Sequence, residues 1–353
     1  MRISLDDQRL SYSGRIDVTD PGRPEFIFPA TSLTFRFTGR QAVLTVENLR
    51  LYWDNFLGGI IDGEQKAWKL NPEGETRILL VSGKEEACHE ITVFKRQDCC
   101  HEVVLSSLEL SAGSVLHPAP EKPWRRMEVF GDSVSAGEVS EAVDWAGKLD
   151  PPHQGEYSNS WYSYAWIAAR MLGAELHDTA QGGIPLLNHT GWFAPPAYPG
   201  MEFMWDKLHY HPELGKVAEW DFSRYQPQLV VIAIGQNDSN PEDYMASDPD
   251  GEKADRWKRE YRRLAESIRE KYPEAVIILA TTILCHHENW DRAIGEVCRQ
   301  MNKAGDGKVY HFLYRRNGKG TPGHIRIPEA EEMAGELVSF VKKLEIPGWE
   351  EKD

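Results

Sequence analysis

The sequence predicts an all-β sandwich or jelly roll over residues 1–118, followed by an α/β domain over residues 125–347 with a doubly wound, flavodoxin-like parallel sheet. Three observations predict this. The first third is a series of short apolar runs separated by turn residues, the pattern of many antiparallel strands. The remainder alternates continuous apolar runs with helical stretches, the pattern of βα units. Between them, Ala112–Trp124 carries Gly113, Pro118, Pro120 and Pro123, which suit a linker rather than an element.

In the first domain the predicted strands are Phe26–Phe28, Leu33–Phe37, Ala42–Val46, Arg77–Val81, Glu90–Phe94 and Glu102–Leu105. Their β-branched and aromatic residues fit a pleated, half-buried surface. Gly58-Gly59, Asp62-Gly63 and Gly74 mark turns. In the second domain Arg126–Phe130 reads as a strand, Ser160–Leu172 as a helix and Glu175–Thr179 as a strand. Leu229–Ile234 and Ala275–Ala280 are unbroken apolar runs, as expected of parallel strands covered on both faces. Helices are predicted over Glu252–Lys271, Trp290–Lys303 and Glu329–Lys343, with a strand near Val309–Leu313.

The chain has 353 residues and a formal net charge of −15. That length is more than one average domain and buries a core without staples. An acidic surface repels phosphate backbones and anionic lipid heads, so neither nucleic acid nor membrane is an expected partner. The N-terminus shows no apolar stretch of signal length, and no run of 18 apolar residues occurs. The five cysteines, Cys88, Cys99, Cys100, Cys285 and Cys298, are odd in number and lack framework spacing. Free thiols and a cytoplasmic location are therefore expected.

Open α/β sheets build their sites beyond the carboxyl ends of the strands. Three tight loops follow predicted strands here: Gly131-Asp132-Ser133, Gln181-Gly182-Gly183 and Gly235-Gln236-Asn237-Asp238. Together they supply what acyl transfer requires. A serine hydroxyl is a weak nucleophile until a base takes its proton, and Ser133 stands between a strand and a predicted helix. The tetrahedral intermediate needs fixed donors for its oxyanion, each worth roughly 2.7–4 kcal/mol. The Ser133 N–H, a glycine N–H (Gly182, with Gly183 as the alternative) and the Asn237 amide are the candidates. Among twelve histidines, His324 is the expected base because it follows the loop Asn317–Gly323 and precedes the last helix. His286 and His287, after the Ala275–Ala280 strand, compete with it.

These blocks, in this order, resemble the SGNH hydrolases. Upstream, Ser13-Gly14-Arg15, Ile61-Asp62-Gly63, His89-Glu90-Ile91-Thr92 and Lys95-Arg96, with Trp220-Asp221-Phe222-Ser223 before the third block, resemble carbohydrate esterase family 2. The resemblance covers nearly the whole chain. It implies a jelly roll fused to an SGNH domain that removes O-acetyl groups from sugars or plant polysaccharide fragments without a cofactor. Most SGNH enzymes have an aspartate three residues before the histidine, and here that position is Thr321. A Ser133–His324 dyad without a carboxylate is therefore expected, with the imidazole oriented by another group, for example a backbone carbonyl.

The alternatives are a related chemistry on the same groups (another short acyl ester, a thioester, or acyl transfer) and a carbohydrate-binding protein with an inert α/β domain. The expected partner is an acetylated oligosaccharide from xylan, mannan or a 6-O-acetyl hexose. The long segment Gly191–Gly215 between two strands suggests a binding loop, with Trp192 and Trp205 as candidate sugar platforms. Trp161 and Trp166 suit either a sugar platform or the core. Cys285-His286-His287 has no companion pair at ligand spacing, so no metal is expected. Asp132 and Asp238 read as loop-bracing residues.

Overall fold

The computed structural model describes residues 1–349. The first domain is one ten-stranded sheet in which every pairing is antiparallel. Its spine is β1 (Ser32–Arg50), which pairs with β4 (Glu75–Lys95) on one side and β5 (His101–Leu110) on the other. The hairpin of β2 (Phe56–Ile61) and β3 (Glu64–Lys69) extends the β4 edge. The sequence suggests separate strands at Leu33–Phe37 and Ala42–Val46, but the chain runs through both as β1. A register irregularity at Gly39–Gln41 is the reason. It shifts the side-chain parity, so Leu33, Phe35 and Phe37 before it and Ala42, Leu44 and Val46 after it all enter the same core. Arg77–Val81 and Glu90–Phe94 likewise belong to one long strand, β4.

The second domain is a five-stranded, wholly parallel sheet: β6 (Arg125–Gly131), β7 (Ala174–Ala180), β8 (Leu229–Ala233), β9 (Val276–Ala280) and β10 (Val309–His311). Their spatial order is β7-β6-β8-β9-β10, the flavodoxin-like arrangement. Side chains alternate along each strand. Val230, Ile232, Ile277 and Leu279 pack toward α3 (Glu252–Lys271) and α4 (Glu288–Lys303). Leu229, Val231, Val276 and Ile278 pack toward α2 (Tyr164–Leu172) and α5 (Ile327–Val341). The short helix α1 (Ser133–Ala136) leaves the carboxyl end of β6. The connection after β6 goes to one side of the sheet and that after β7 returns to the other. The crevice therefore opens beyond β6 and β8, where Ser133 and Asn237 stand.

The first sheet's last strand ends at His117 and the second sheet begins at Arg125, but the two units share a polar seam. Arg15, 1% exposed, donates to Glu128 Oε1 through Nε (3.1 Å) and Nη2 (2.9 Å), and to the carbonyls of Trp205 and Lys207. Glu128 also accepts from Thr179 Oγ1 and the Tyr272 hydroxyl. A buried ion pair persists only when its remaining lone pairs are satisfied like this. Gly14, at φ +108°, makes the turn that delivers Arg15, and a Cβ there would lie 2.7 Å from Thr31 Oγ1.

Candidate active site

Ser133 occupies the first position of α1. The preceding Asp132 caps it, accepting from the Val134 N–H at 3.0 Å. His324 arrives from the loop before α5, and its Nε2 lies 2.8 Å from Ser133 Oγ. The expected pair is therefore assembled.

The dyad expectation is corrected. Asp150 Oδ2 lies 2.6 Å from His324 Nδ1, while Asp150 Oδ1 accepts the His324 backbone N–H (2.9 Å) and Arg326 Nη2 (2.8 Å). Ser133, His324 and Asp150 form a hydrogen-bonded triad. Thr321 takes no part: its Oγ1 is buried without a partner among the described residues, and its backbone carbonyl accepts from the Cys285 N–H. The carboxylate reaches the imidazole from a distant loop rather than from the same turn. Arg326, fully buried, also donates to the His324 carbonyl and clamps the pair together.

Electrostatics follow from these contacts. Burial by itself would raise the Asp150 pKa, but the His324 and Arg326 contacts outweigh it and hold the carboxyl well below its usual range. Burial by itself would lower the His324 pKa, but Glu138, Asp150 and Asp132 outweigh it and raise it to about 9. Glu138 Oε2 lies 3.8 Å from His324 Nε2, and burial, reinforced by Asp98, Asp150 and Asp132, pushes Glu138 up to about 7.

Asn237 faces the same crevice. Its Nδ2 donates to the Ile184 carbonyl (3.0 Å) and lies 3.3 Å from Asp132 Oδ2, which also accepts from Gln236 Nε2. Asp238 braces the second loop by accepting the N–H groups of Leu186 and Leu187. Both aspartates brace loops, as their positions suggested. The Gly182 assignment needs correction: its N–H donates to Asp98 Oδ2 at 2.8 Å, so an acceptor already occupies that donor. Among the described residues, the N–H groups of Ser133 and Gly183 have no acceptor and remain open.

These groups line a crevice of about 590 Å³ together with Tyr52, Trp53, Asp98, Trp192, Phe193 and Glu213. Trp192, 65% exposed, stands at the rim where the sequence placed a platform. Trp205 is elsewhere: it packs at a tilt against Phe222 (centroids 5.5 Å apart, rings 40° apart), and both lie half-buried against the core of the second domain. Trp161 and Trp166 pack on each other and on Phe94, outside the crevice lining. His286 spends both nitrogens on Leu284 O and Asp291, and His287 caps α4 through Nδ1.

Tyr52, Trp53 and Asp98 come from the first domain, a contribution sequence reasoning missed. Lys95 holds the Asp98 loop by donating to the carbonyls of Gln97 and Asp98, and Arg96 anchors it to the Ser158 carbonyl and Glu141. Trp53 has φ +59°, a conformation rare for a bulky residue. On the domain seam, Asp17, Glu25 and His209 group closely enough to ligate a cation. The Lys216 ammonium lies 2.7 Å from Asp17 and 3.2 Å from Glu25 and supplies that charge itself.

Residues 12–120 match the carbohydrate esterase 2 N-terminal family, and residues 129–306, half of the chain, match the GDSL-like lipase/acylhydrolase family. The chain belongs to the GDSL-like lipase/acylhydrolase family. The match to this acylhydrolase family ends before His324, which the geometry alone brings to the serine. The cellulase/esterase CelE of Acetivibrio thermocellus is 29% identical over 346 residues, 96% of this chain and 40% of that protein. The chain thus spans less than half the length of that relative. An acetylxylan esterase/glucomannan deacetylase of Cellvibrio japonicus is 24% identical over 346 residues, 97% of this chain and 90% of that protein. Among solved structures, a family two carbohydrate esterase from Clostridium thermocellum in complex with cellohexaose superposes with a TM-score of 0.80 and 26% identity, covering 96% of this chain and 99% of that one. The chain therefore resembles carbohydrate esterase family 2 in both of its domains.

Proposed function

We propose that this acylhydrolase removes O-acetyl groups from sugars or oligosaccharides through an acetyl-enzyme on Ser133. The observation that carries the reading is the 2.8 Å contact between Ser133 Oγ and His324 Nε2, with Asp150 at 2.6 Å on the other nitrogen. His324 takes the serine proton as Oγ attacks the acetyl carbonyl, and Asp150 keeps the Nδ1 proton in place and favours the imidazolium that forms. The open N–H groups of Ser133 and Gly183 are the candidate donors for the oxyanion; the Asn237 amide, which already donates to the Ile184 carbonyl and Asp132 Oδ2, joins them only by giving up one of those bonds. Nε2 then protonates the departing sugar oxygen. Water, deprotonated by the same nitrogen, releases acetate.

The crevice favours a short acyl group on a sugar. Asp98 and Glu138 line the crevice with the serine, and an alkyl chain laid over them would desolvate two carboxyl groups without offering either a hydrogen bond. Tyr52, Trp53 and Trp192 offer aromatic faces to a sugar ring. Acetyl esters of xylan, glucomannan and hexoses are the substrate class, in keeping with the names of the relatives. Five free cysteines, three of them buried, support a reducing compartment, so imported oligosaccharides rather than intact polymer are the expected form. Acetate release from acetylated xylo- and gluco-oligosaccharides, measured with wild type and Ser133→Ala, tests the proposal. Release that disappears in the variant is expected; a folded wild type that releases none sinks it.

A further inference from the structure

Among the carboxylates that line the crevice, Glu138 stands apart. Asp98 is saturated: Oδ1 accepts the Cys100 N–H, and Oδ2 accepts Gln181 Nε2 and the Gly182 N–H. Asp150 is held by His324 and Arg326, and Glu213 is exposed at the rim. The Glu138 side chain is only 14% exposed, yet among the described residues no N–H or O–H donates to its oxygens. Its oxygens open onto the crevice rather than being sealed in the protein, so a molecule entering the crevice can supply the hydrogen-bond donor that no neighbouring side chain gives.

The position is fixed by the backbone. Gly137, at φ +78°, ends α1, and a Cβ there would lie 2.5 Å from the Asn159 carbonyl, so only glycine makes this turn. The Glu138 N–H then donates back to the Ser133 carbonyl at 3.0 Å. Its side chain lies between His324 Nε2, at 3.8 Å, and Gly182, where a Cβ would stand 2.7 Å from Oε2. The oxygen that leaves with the sugar must come within hydrogen-bond reach of Nε2 to be protonated. Glu138 is therefore within reach of the alcohol oxygen's sugar as it leaves.

We propose that Glu138 is a specificity residue that accepts a hydrogen bond from a free hydroxyl of the sugar bearing the ester. This rests on the reading of the substrate as an acetylated sugar. A site built to pair with a hydroxyl rejects analogues that lack it, because its own polar group is then left unpaired. Among the described residues the crevice lining contains no lysine or arginine, and His324 Nε2 is engaged with Ser133 Oγ, so a sugar hydroxyl is the donor that can pair with this carboxyl group.

The test crosses the protein with the substrate. The methyl mono-O-acetyl glycoside that wild type cleaves fastest is compared with its mono-deoxy analogues, each lacking one remaining hydroxyl, on wild type, Glu138→Ala and Glu138→Gln. One deoxy analogue should lose tenfold or more in kcat/KM on wild type and less than threefold on Glu138→Ala. Glu138→Gln, which keeps an acceptor oxygen, should fall between. Each ratio is taken within one preparation, so a lower folded fraction in a variant does not distort it. Equal hydroxyl dependence in wild type and Glu138→Ala overturns the assignment of Glu138 alone. Wild type that cleaves phenyl acetate but none of the acetyl glycosides overturns the carbohydrate reading, and this inference with it.

Discussion

Two histidines stand beyond the carboxyl edge of the parallel sheet, each against an aspartate, and only one of them has a serine. His324 gives Nδ1 to Asp150 and leaves Nε2 for Ser133. His286 gives Nδ1 to the Leu284 carbonyl at 2.6 Å and Nε2 to Asp291 at 3.2 Å. A histidine can relay a proton only if one nitrogen is fixed and the other faces the reacting atom. The His286 pair is complete in itself: Asp291 also accepts from Thr281 Oγ1, and Asn317 Nδ2 donates to that hydroxyl. It ties α4 and the loop that leads to His324 to the end of β9. A carboxylate–histidine pair is thus a bracing device by default, and a nucleophile on the second nitrogen turns it into a catalytic one.

The sharpest break between the two pairs is removal of each imidazole. His324→Ala should lower kcat on an acetyl ester by about 10⁴-fold or more, the range seen when a triad base is deleted. His286→Ala should leave kcat within roughly threefold and act on stability instead, by about 1–3 kcal/mol for the partners left unpaired. Initial rates and thermal unfolding on the two variants distinguish these outcomes. Comparable losses of rate would mean that the two histidines share the proton transfer.

The aspartates extend the contrast. Asp150→Asn should cost roughly 10²–10⁴-fold in kcat, because the amide cannot hold the imidazole tautomer or favour the imidazolium. Asp291→Asn should cost less than about threefold. Rates on acetyl esters, with circular dichroism to verify the fold, decide between them. A dyad in which Asp150 merely fills space predicts little loss from Asp150→Asn, and that result would return the site to the arrangement expected from Thr321.

What was legible in the sequence follows from how far each signal reaches along the chain. Ser133 and Asn237 were found because each lies directly after a buried strand, and topology brings such loops to one edge. His324 was found by its place between a glycine-rich loop and the last helix. Asp150 lies in a loop of its own, tied to no strand end, and its relation to His324 exists only in three dimensions, where Arg326 braces the pair. Asp98 and Trp53 were illegible for a related reason: nothing local indicates that a loop of the β domain reaches across the seam to the Gly182 loop. The resemblance in Lys95-Arg96 pointed to the right place without revealing its purpose, which is to hold Asp98. Trp192 and Trp205 occupy one long loop, and composition does not say which ring turns inward.

The smallest expected effect is a shift in pH dependence, and it depends on charge alone. His324 must be neutral to accept the serine proton, and its pKa is raised above the ordinary value to about 9 by Glu138, Asp150 and Asp132 acting against burial. Below about pH 9 most of the imidazole is protonated and idle, so kcat/KM should rise with pH through the neutral range, reach half its limit near pH 9 and level off only above that. Glu138→Gln removes one of the charges that favour the imidazolium, so the rising limb should move to lower pH. His286→Ala, which changes no group in the crevice, should leave it in place. Profiles of kcat/KM between about pH 5.5 and 9.5 on phenyl acetate report the free enzyme's essential base. A wild-type limb near pH 6.5 that Glu138→Gln does not move would show that the acidic crevice leaves the imidazole unaffected. It would then be the Ser133–His324–Asp150 contacts alone, and not the field around them, that separate this histidine from its neighbour.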